Sequence, residues 1–270
     1  MTSALAVLRS EPHTSVSALT CFLRCPRQYR YRYIDRVTPE HRADTLVFGS
    51  AIHAALAAFY RTLQSGRSPT AKSMRHTFLI ALDVEVRRAD PPILYRSHDL
   101  DALRRLGLEM LDVFHVGALR PRRVLGVEQA FSIALVDDYG MPIPVRLVGA
   151  FDAVIETDRV RVVEHKTAAR RWSSSQLEHD LQLSAYSLAA PYMGLGNAGL
   201  QLNVLLKTKT PKLVVHRPER GARAHAEFIE IAQSVLRAVD AGVDHPLRGW
   251  HCRGCCYRQR CTRELIRTYV

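Results

Sequence analysis

LVGAFDAVIE, residues 147–156, and VRVVEHKT, residues 160–167, decide the fold. Each is a short run of β-branched and apolar residues next to turn signals, the pattern of a buried strand. Each also carries charge where an ordinary buried strand has none. Asp152 sits in an apolar run, and Glu164 and Lys166 end the second strand. Residues two apart on a strand point to the same face. Glu164 and Lys166 therefore share a side, and Asp152 on the neighbouring strand is placed to join them. Buried charge is costly unless it is paired or bound to metal. Two carboxylates suit a hard divalent cation such as Mg2+ or Mn2+. A lysine beside them steadies an attacking water or a developing phosphate charge. The plain alternative is a buried ion pair of Lys166 with Glu164 or Asp152 at a sheet edge.

Working outward, RVLGVEQAFSIALV (123–136), VRLVGAFDAVIET (145–157) and RVRVVEHKT (159–167) read as three consecutive strands, with turns at DDYGMP (137–142) and at Asp158. SQLEHDLQLSAYSLAAPYM (175–193) reads as one helix, 199–208 and 212–218 as two more strands, and 220–241 as a last helix. Upstream the chain is mainly helical. Residues 15–34 start at Ser15 or Ser17 as N-cap and are interrupted by Pro26. Helices follow over 45–63, 70–89 and 99–119, the last two separated by the turn-rich ADPPILYRSHD (89–99). The expected architecture is α/β, a mixed central sheet flanked by helices, in a single domain over 1–270. Its parts are a helical stretch over about 15–120, an α/β core over about 121–241 and a cysteine-rich segment over 245–270. There is no internal repeat, phosphate-binding loop or dinucleotide-binding glycine motif, so ATP hydrolysis by this chain is not expected.

The chain has 270 residues, 47% of them hydrophobic, which suffices for one sizeable core. Its net charge is +12, and only five of its 38 basic residues are lysines. Arginine suits bidentate phosphate contacts and stacking on bases, which points to a nucleic-acid partner. Genomic composition bias enriches arginine too. No apolar run approaches the roughly 18 residues of a membrane span. The opening MTSALAVLRSEPHTS carries Arg9 and Glu11 where a signal peptide is apolar. A cytoplasmic protein with reduced cysteines is expected, and clustered cysteines there are metal ligands rather than disulfides.

The order of motifs resembles the RecB-like branch of the PD-(D/E)xK nuclease superfamily, which includes CRISPR-associated adaptation nucleases and AddB-type repair nucleases. FGSAIHAAL (48–56) is similar to that branch's G-x-x-x-H motif and GAFDAVIE (149–156) to its G-x-x-D strand. EHKT (164–167) is similar to the (D/E)-x-K-T strand end and QLSAY (182–186) to the Q-x-x-x-Y helix. The resemblance implies metal ligation by Asp152 and Glu164, with His53 and the His165 carbonyl joining them. It implies Lys166 as the catalytic lysine, and Gln182 and Tyr186 presented from one helix face. It further implies a DNA exonuclease leaving 5′-phosphates, in repair, recombination, phage DNA metabolism or spacer acquisition. Without an ATPase motif, single strands, frayed ends or DNA opened by a partner helicase are the expected substrates. A non-catalytic DNA-binding subunit of a larger complex is the competing reading, and a zinc-dependent DNA-binding regulator is a third.

HCRGCCYRQRC (251–261) holds four of the six cysteines. Cys252 and Cys255 form a C-x-x-C pair, Cys261 follows, and Cys256 adjoins Cys255 too closely to share one centre easily. A tetrahedral site needs a fourth ligand from elsewhere. Iron–sulphur members of the same family take it from an N-terminal C-P motif. CPRQYRYRY (25–33) matches that motif and implies a [4Fe–4S] cluster on Cys25, Cys252, Cys255 and Cys261. Cys256 stands where the family has proline. Zinc is the rival metal, and Cys21 and Cys256 are spare thiols. Glu128 reads as a second-metal ligand, a phosphate-network residue or a solvated strand carboxylate. Arg170, Arg171 and Trp172 can grip a strand by charge and stacking, or form a solvated loop. RQYRYRYIDR (27–36) can bind single-stranded DNA, or pack its tyrosines inward.

Overall fold

The computed structural model describes residues 4–96, 98–136 and 140–269. The turn expected at 137–142 and the one at 89–99 fall partly outside these residues, at 137–139 and at 97. The elements run α1 (Ala4–Leu8), β1 (His13–Thr14), α2 (Val16–Arg24), α3 (Pro26–Tyr29) and a π-helical turn over Arg30–Ile34. Next come β2 (Arg42–Ala43), α4 (Asp44–Gln64), α5 (Ala71–Arg87), β3 (Ile93–Leu94) and α6 (Leu100–Gly117). The core follows as β4 (Arg123–Val136), β5 (Pro142–Glu156), β6 (Val160–Ala168), α7 (Ser174–Glu178), α8 (Leu181–Tyr192), β7 (Gly199–Leu206) and β8 (Lys212–His216). It closes with α9 (Ala222–Asp240), a 3-10 turn over Trp250–Gly254 and α10 (Arg258–Tyr269).

Ser15 is the N-cap of α2, its side chain accepting from the Ala18 amide, and Pro26 starts α3 at its first position. The helix expected over 175–193 is two helices. Asp180 caps α8 by accepting from the Leu183 amide at 2.9 Å, so the chain breaks at His179 and Asp180. The short elements α1, β1, β2 and β3 carry too little periodicity to have been read from sequence, and α10 lies within the segment read only for its cysteines.

The sheet is mixed, with β6 and β7 parallel and β4–β5, β5–β6 and β7–β8 antiparallel. Helices cover both faces. One core joins Leu147, Phe151, Val154, Val162 and Leu202 of the sheet to α2, α8 and α9. The other joins Ala153, Ile155, Val163 and Leu205 to α4, α5 and α6. The strands bury apolar side chains both ways, which is why they read as nearly continuous apolar runs. The sequence offered no apolar run long enough for a membrane span. As a helix, however, α4 has 21 residues and passes that test by length and composition. Here half of its most apolar window is buried inside the protein, against α5, α6 and the sheet.

Candidate active site

The site arises where the sheet splits. One edge of β5 pairs with β4 along most of its length. The other edge is shared: β1 pairs at Arg146 and Leu147, and β6 pairs from Ala153 to Glu156. Between them, 148–152 has no strand partner on that edge among the described residues. Beyond Val163, β6 pairs with β7 alone. Asp152 and Glu164 therefore stand on the two arms of a fork. The side-chain alternation of β5 breaks there too. Phe151 enters the core on the α8 side and Ala153 the core on the α4 side, although residues two apart on a regular strand share a face. In β4 the position between the partners of Phe151 and Ala153 is Glu128, with φ of 49°. Gly149 is needed on β5 because the Phe131 ring of β4 lies across it; a Cβ there would stand 2.4 Å from the ring.

Asp152 bridges the fork. Its Oδ2 accepts from the His165 amide at 2.7 Å, and its Oδ1 lies 3.2 Å from His53 Nδ1. Burial opposes the charge of Asp152, but the His53 contact and the His165 amide outweigh it and hold the carboxyl below its usual range. For His53 burial also opposes the charge, and the same carboxylate wins and raises the imidazole. Glu164 is buried and pairs with the Lys166 ammonium. Burial first, then the charge of Asp152, push Glu164 up to about 7. Burial opposes the charge of Lys166, yet Glu164 more than compensates and raises it. Lys166 is thus held as a cation and hydrogen-bond donor.

From α8, the Tyr186 hydroxyl donates to the Ala150 carbonyl at 2.5 Å, filling the unpaired edge of β5. It also lies against Glu164 and Gln182. The structure thus brings Asp152, Glu164, Lys166, His53, Tyr186 and Gln182 together. His165 enters through its backbone. Its imidazole packs between Tyr60 and Phe114, with ring centroids 5.5 and 5.6 Å away, and burial pushes it down to about 4. Among the described residues no three Asp, Glu, His or Cys side chains converge closely enough to chelate one ion by themselves. Two adjacent carboxylates, one left hard to ionise, nevertheless fit a magnesium-type cation, which takes one or two carboxylates and fills the rest with water and substrate phosphate.

Two further stretches meet protein partners in the structure. Glu128 forms an exposed ion pair with Arg61 of α4. In the 27–36 segment, Arg27 pairs with Asp244 and Glu264, Arg30 pairs with Asp35 and Asp244, and buried Tyr31 donates to Glu264. That segment mainly holds the C-terminal part of the chain. The backbone contacts Arg27 N to His245 O and Glu40 N to Cys256 O, at 3.2 and 2.8 Å, reinforce the docking. Cys25, Cys252, Cys255 and Cys261 line one cavity of about 30 Å³, while Cys21 and Cys256 do not line it. Burial pushes the Cys255 thiol up to about 11, with Cys256, Cys25 and Cys252 adding to it. The four thiols share this lining without three of them converging on one point. Sequence reasoning missed the Ala150 carbonyl and the aromatic nest of His165, because backbone acceptors and cross-element packing leave no motif.

The chain belongs to the PD-(D/E)XK nuclease superfamily, whose family model matches residues 13–262. Among solved structures, a "putative exonuclease" from Eubacterium rectale is similar with a TM-score of 0.56 and 11% identity, over 92% of this chain and 89% of that one. At that identity the likeness speaks for the fold alone. A second structure, of SSO0001, reaches a TM-score of 0.43 at 16% identity over 94% of this chain and 89% of that one, too low to carry an argument. No curated protein matches the chain.

Proposed function

We propose that the chain is a metal-dependent deoxyribonuclease that hydrolyses phosphodiester bonds at single-stranded or opened DNA ends. The observation that carries this is the meeting of Asp152, Glu164 and Lys166 at the fork of β5 and β6. Asp152 and Glu164 are the residues to hold Mg2+ or Mn2+, which when bound supplies Lewis acidity toward the phosphate and lowers the pKa of water. His53 orients Asp152 through its 3.2 Å contact. Lys166 donates to, and offsets, the negative charge that grows on the phosphate as water attacks in line. Tyr186 fixes the position of Glu164, and Gln182 holds Tyr186. The net charge of +12 supports DNA as the polymer bound. Exonuclease action, 5′-phosphate products, a helicase partner and a cytoplasmic setting in repair, recombination, phage DNA metabolism or spacer acquisition belong to this proposal through the RecB-like motif order.

We place a [4Fe–4S] cluster on Cys25, Cys252, Cys255 and Cys261 as a clip between the chain ends, supported by their common cavity. Iron and acid-labile sulphide analysis tests it, and zinc in their place replaces the cluster with a zinc clip. The activity test is digestion of 5′- and 3′-labelled single- and double-stranded DNA with magnesium, manganese or chelator, beside Lys166→Ala. Metal-dependent loss of label, absent in the variant, supports the nuclease and gives its polarity. DNA binding without cleavage by the wild-type chain overturns it in favour of a binding subunit.

A further inference from the structure

Lys166 and Gln182 form one end of an open groove of about 770 Å³, whose other walls come from α2, the start of α4 and the segment after β6. Four of its lining side chains have no part in the constellation at the fork. Arg24 and Arg32 are exposed and form no ion pair among the described residues. Trp172 is half-buried against the α8-side core and presents its remainder to the groove. Leu46, in the first turn of α4, is 60% exposed and lines the groove. Asp180, the carboxylate in the same lining, is already used to cap α8.

The helix face that carries Leu46 holds a second open position outside the groove lining. Leu46, Gly49 and His53 follow one another at three and four residues along α4, on one face of the helix. A Cβ on Gly49 would meet nothing within 4 Å. Glycine inside a helix costs about 1 kcal/mol against alanine, and no packing in the fold asks for it.

We infer that this groove is the path of an unpaired DNA strand, with bases against Trp172 and Leu46 and phosphates on Arg24 and Arg32, and that Trp172 sets a preference for single strands over duplex. The inference rests on the nuclease reading. Its physical basis is that an aromatic platform needs the open face of a base. A duplex keeps its bases stacked on each other, while an unpaired strand offers every base to a platform. Two guanidiniums outside any ion pair among the described residues, Arg32 lying over the Tyr33 ring, follow the backbone without reading sequence. The fork then receives the next phosphate beside Lys166.

The test is binding of a labelled oligo-dT strand and of a blunt hairpin duplex, by fluorescence anisotropy, in a Lys166→Ala background that keeps DNA intact. Trp172→Ala is expected to weaken the single strand about 5- to 150-fold and to leave the duplex unchanged, while Trp172→Phe restores most of the loss. Arg24→Ala and Arg32→Ala each reduce the slope of log affinity against log salt by about 0.7 for the single strand. Equal losses on strand and duplex, or no loss in Trp172→Ala, overturn the inference. The two readings fail differently. A wild-type chain that cleaves no DNA with magnesium or manganese sinks the nuclease; cleavage with strand preference intact in Trp172→Ala sinks only the groove assignment.

Discussion

The substitution Glu164→Gln should change how stability depends on pH, and the direction follows from the fork. Glu164 is buried beside Asp152 and is raised from its ordinary 4.5 to about 7. Between those values the folded chain keeps a proton that the unfolded chain releases. Stability therefore falls as pH rises through this window, by about 1.4 kcal/mol per unit. From pH 5 to 7.5 the Glu164 contribution amounts to about 2 kcal/mol, on the order of 4–8 °C in Tm for a chain of this size. His165 acts oppositely. It is pushed down to about 4, so its burial costs stability below the unfolded value of 6.5 and the cost disappears as pH rises. His53, raised, adds stability that is lost as pH climbs through its folded value. Glutamine at 164 removes the first effect and leaves the His165 effect in place. The measurement is thermal unfolding of both proteins in chelator, across pH 5 to 7.5, followed by addition of Mg2+. The wild-type Tm should fall relative to the variant as pH rises. Mg2+ at about 100 times its Kd should then restore about 2.7 kcal/mol to the wild type at pH 7.5 and nothing to the variant. Parallel pH curves for the two proteins would refute the argument that burial beside Asp152 suppresses ionisation of Glu164.

Lys166→Ala should lower the cleavage rate by about 10²- to 10⁴-fold, read in single-turnover digestion, with DNA affinity retained. His53→Ala should weaken metal affinity about 10- to 100-fold, read as a rightward shift of the Mn2+ activation curve, because Asp152 loses the ring that orients it. Tyr186→Phe strands the Ala150 carbonyl on the unpaired edge of β5 and should cost about 1–3 kcal/mol in denaturant titration. Cys25→Ser should abolish iron binding and lower stability by up to about 5 kcal/mol, the closure entropy of so long a loop, read by metal analysis and chemical unfolding.

Most of this site was legible because its residues are misfits. Asp152 and Glu164–Lys166 are charges inside apolar strands, and the two-residue period alone put Glu164 and Lys166 on one side. Cys25 was legible only through the family motif order, since nothing local joins it to the C-terminal cysteines. What sequence could not give was the fork. The period that pairs Glu164 with Lys166 says nothing of β5 and β6 parting after Val163, or of β5 rolling over at Asp152. His53 was assigned with the metal ligands, and the structure sets its Nδ1 3.2 Å from Asp152. The single helix expected over 175–193 also misled, because the cap at Asp180 outweighs the propensity of the residues around it.

The parting of β5 and β6 has an evolutionary consequence. The His165 amide and the Ala150 carbonyl lose their ladder partners there, and side chains of the site satisfy both. Asp152 and Tyr186 are therefore sealing residues as well as functional ones, and a descendant that abandoned hydrolysis would still need them to stay folded. Lys166, partly open to the groove, carries no such duty. Inactivated descendants of this chain should drift first at Lys166 and last at Asp152, so an intact aspartate in a relative is poor evidence of activity and an intact lysine is good evidence.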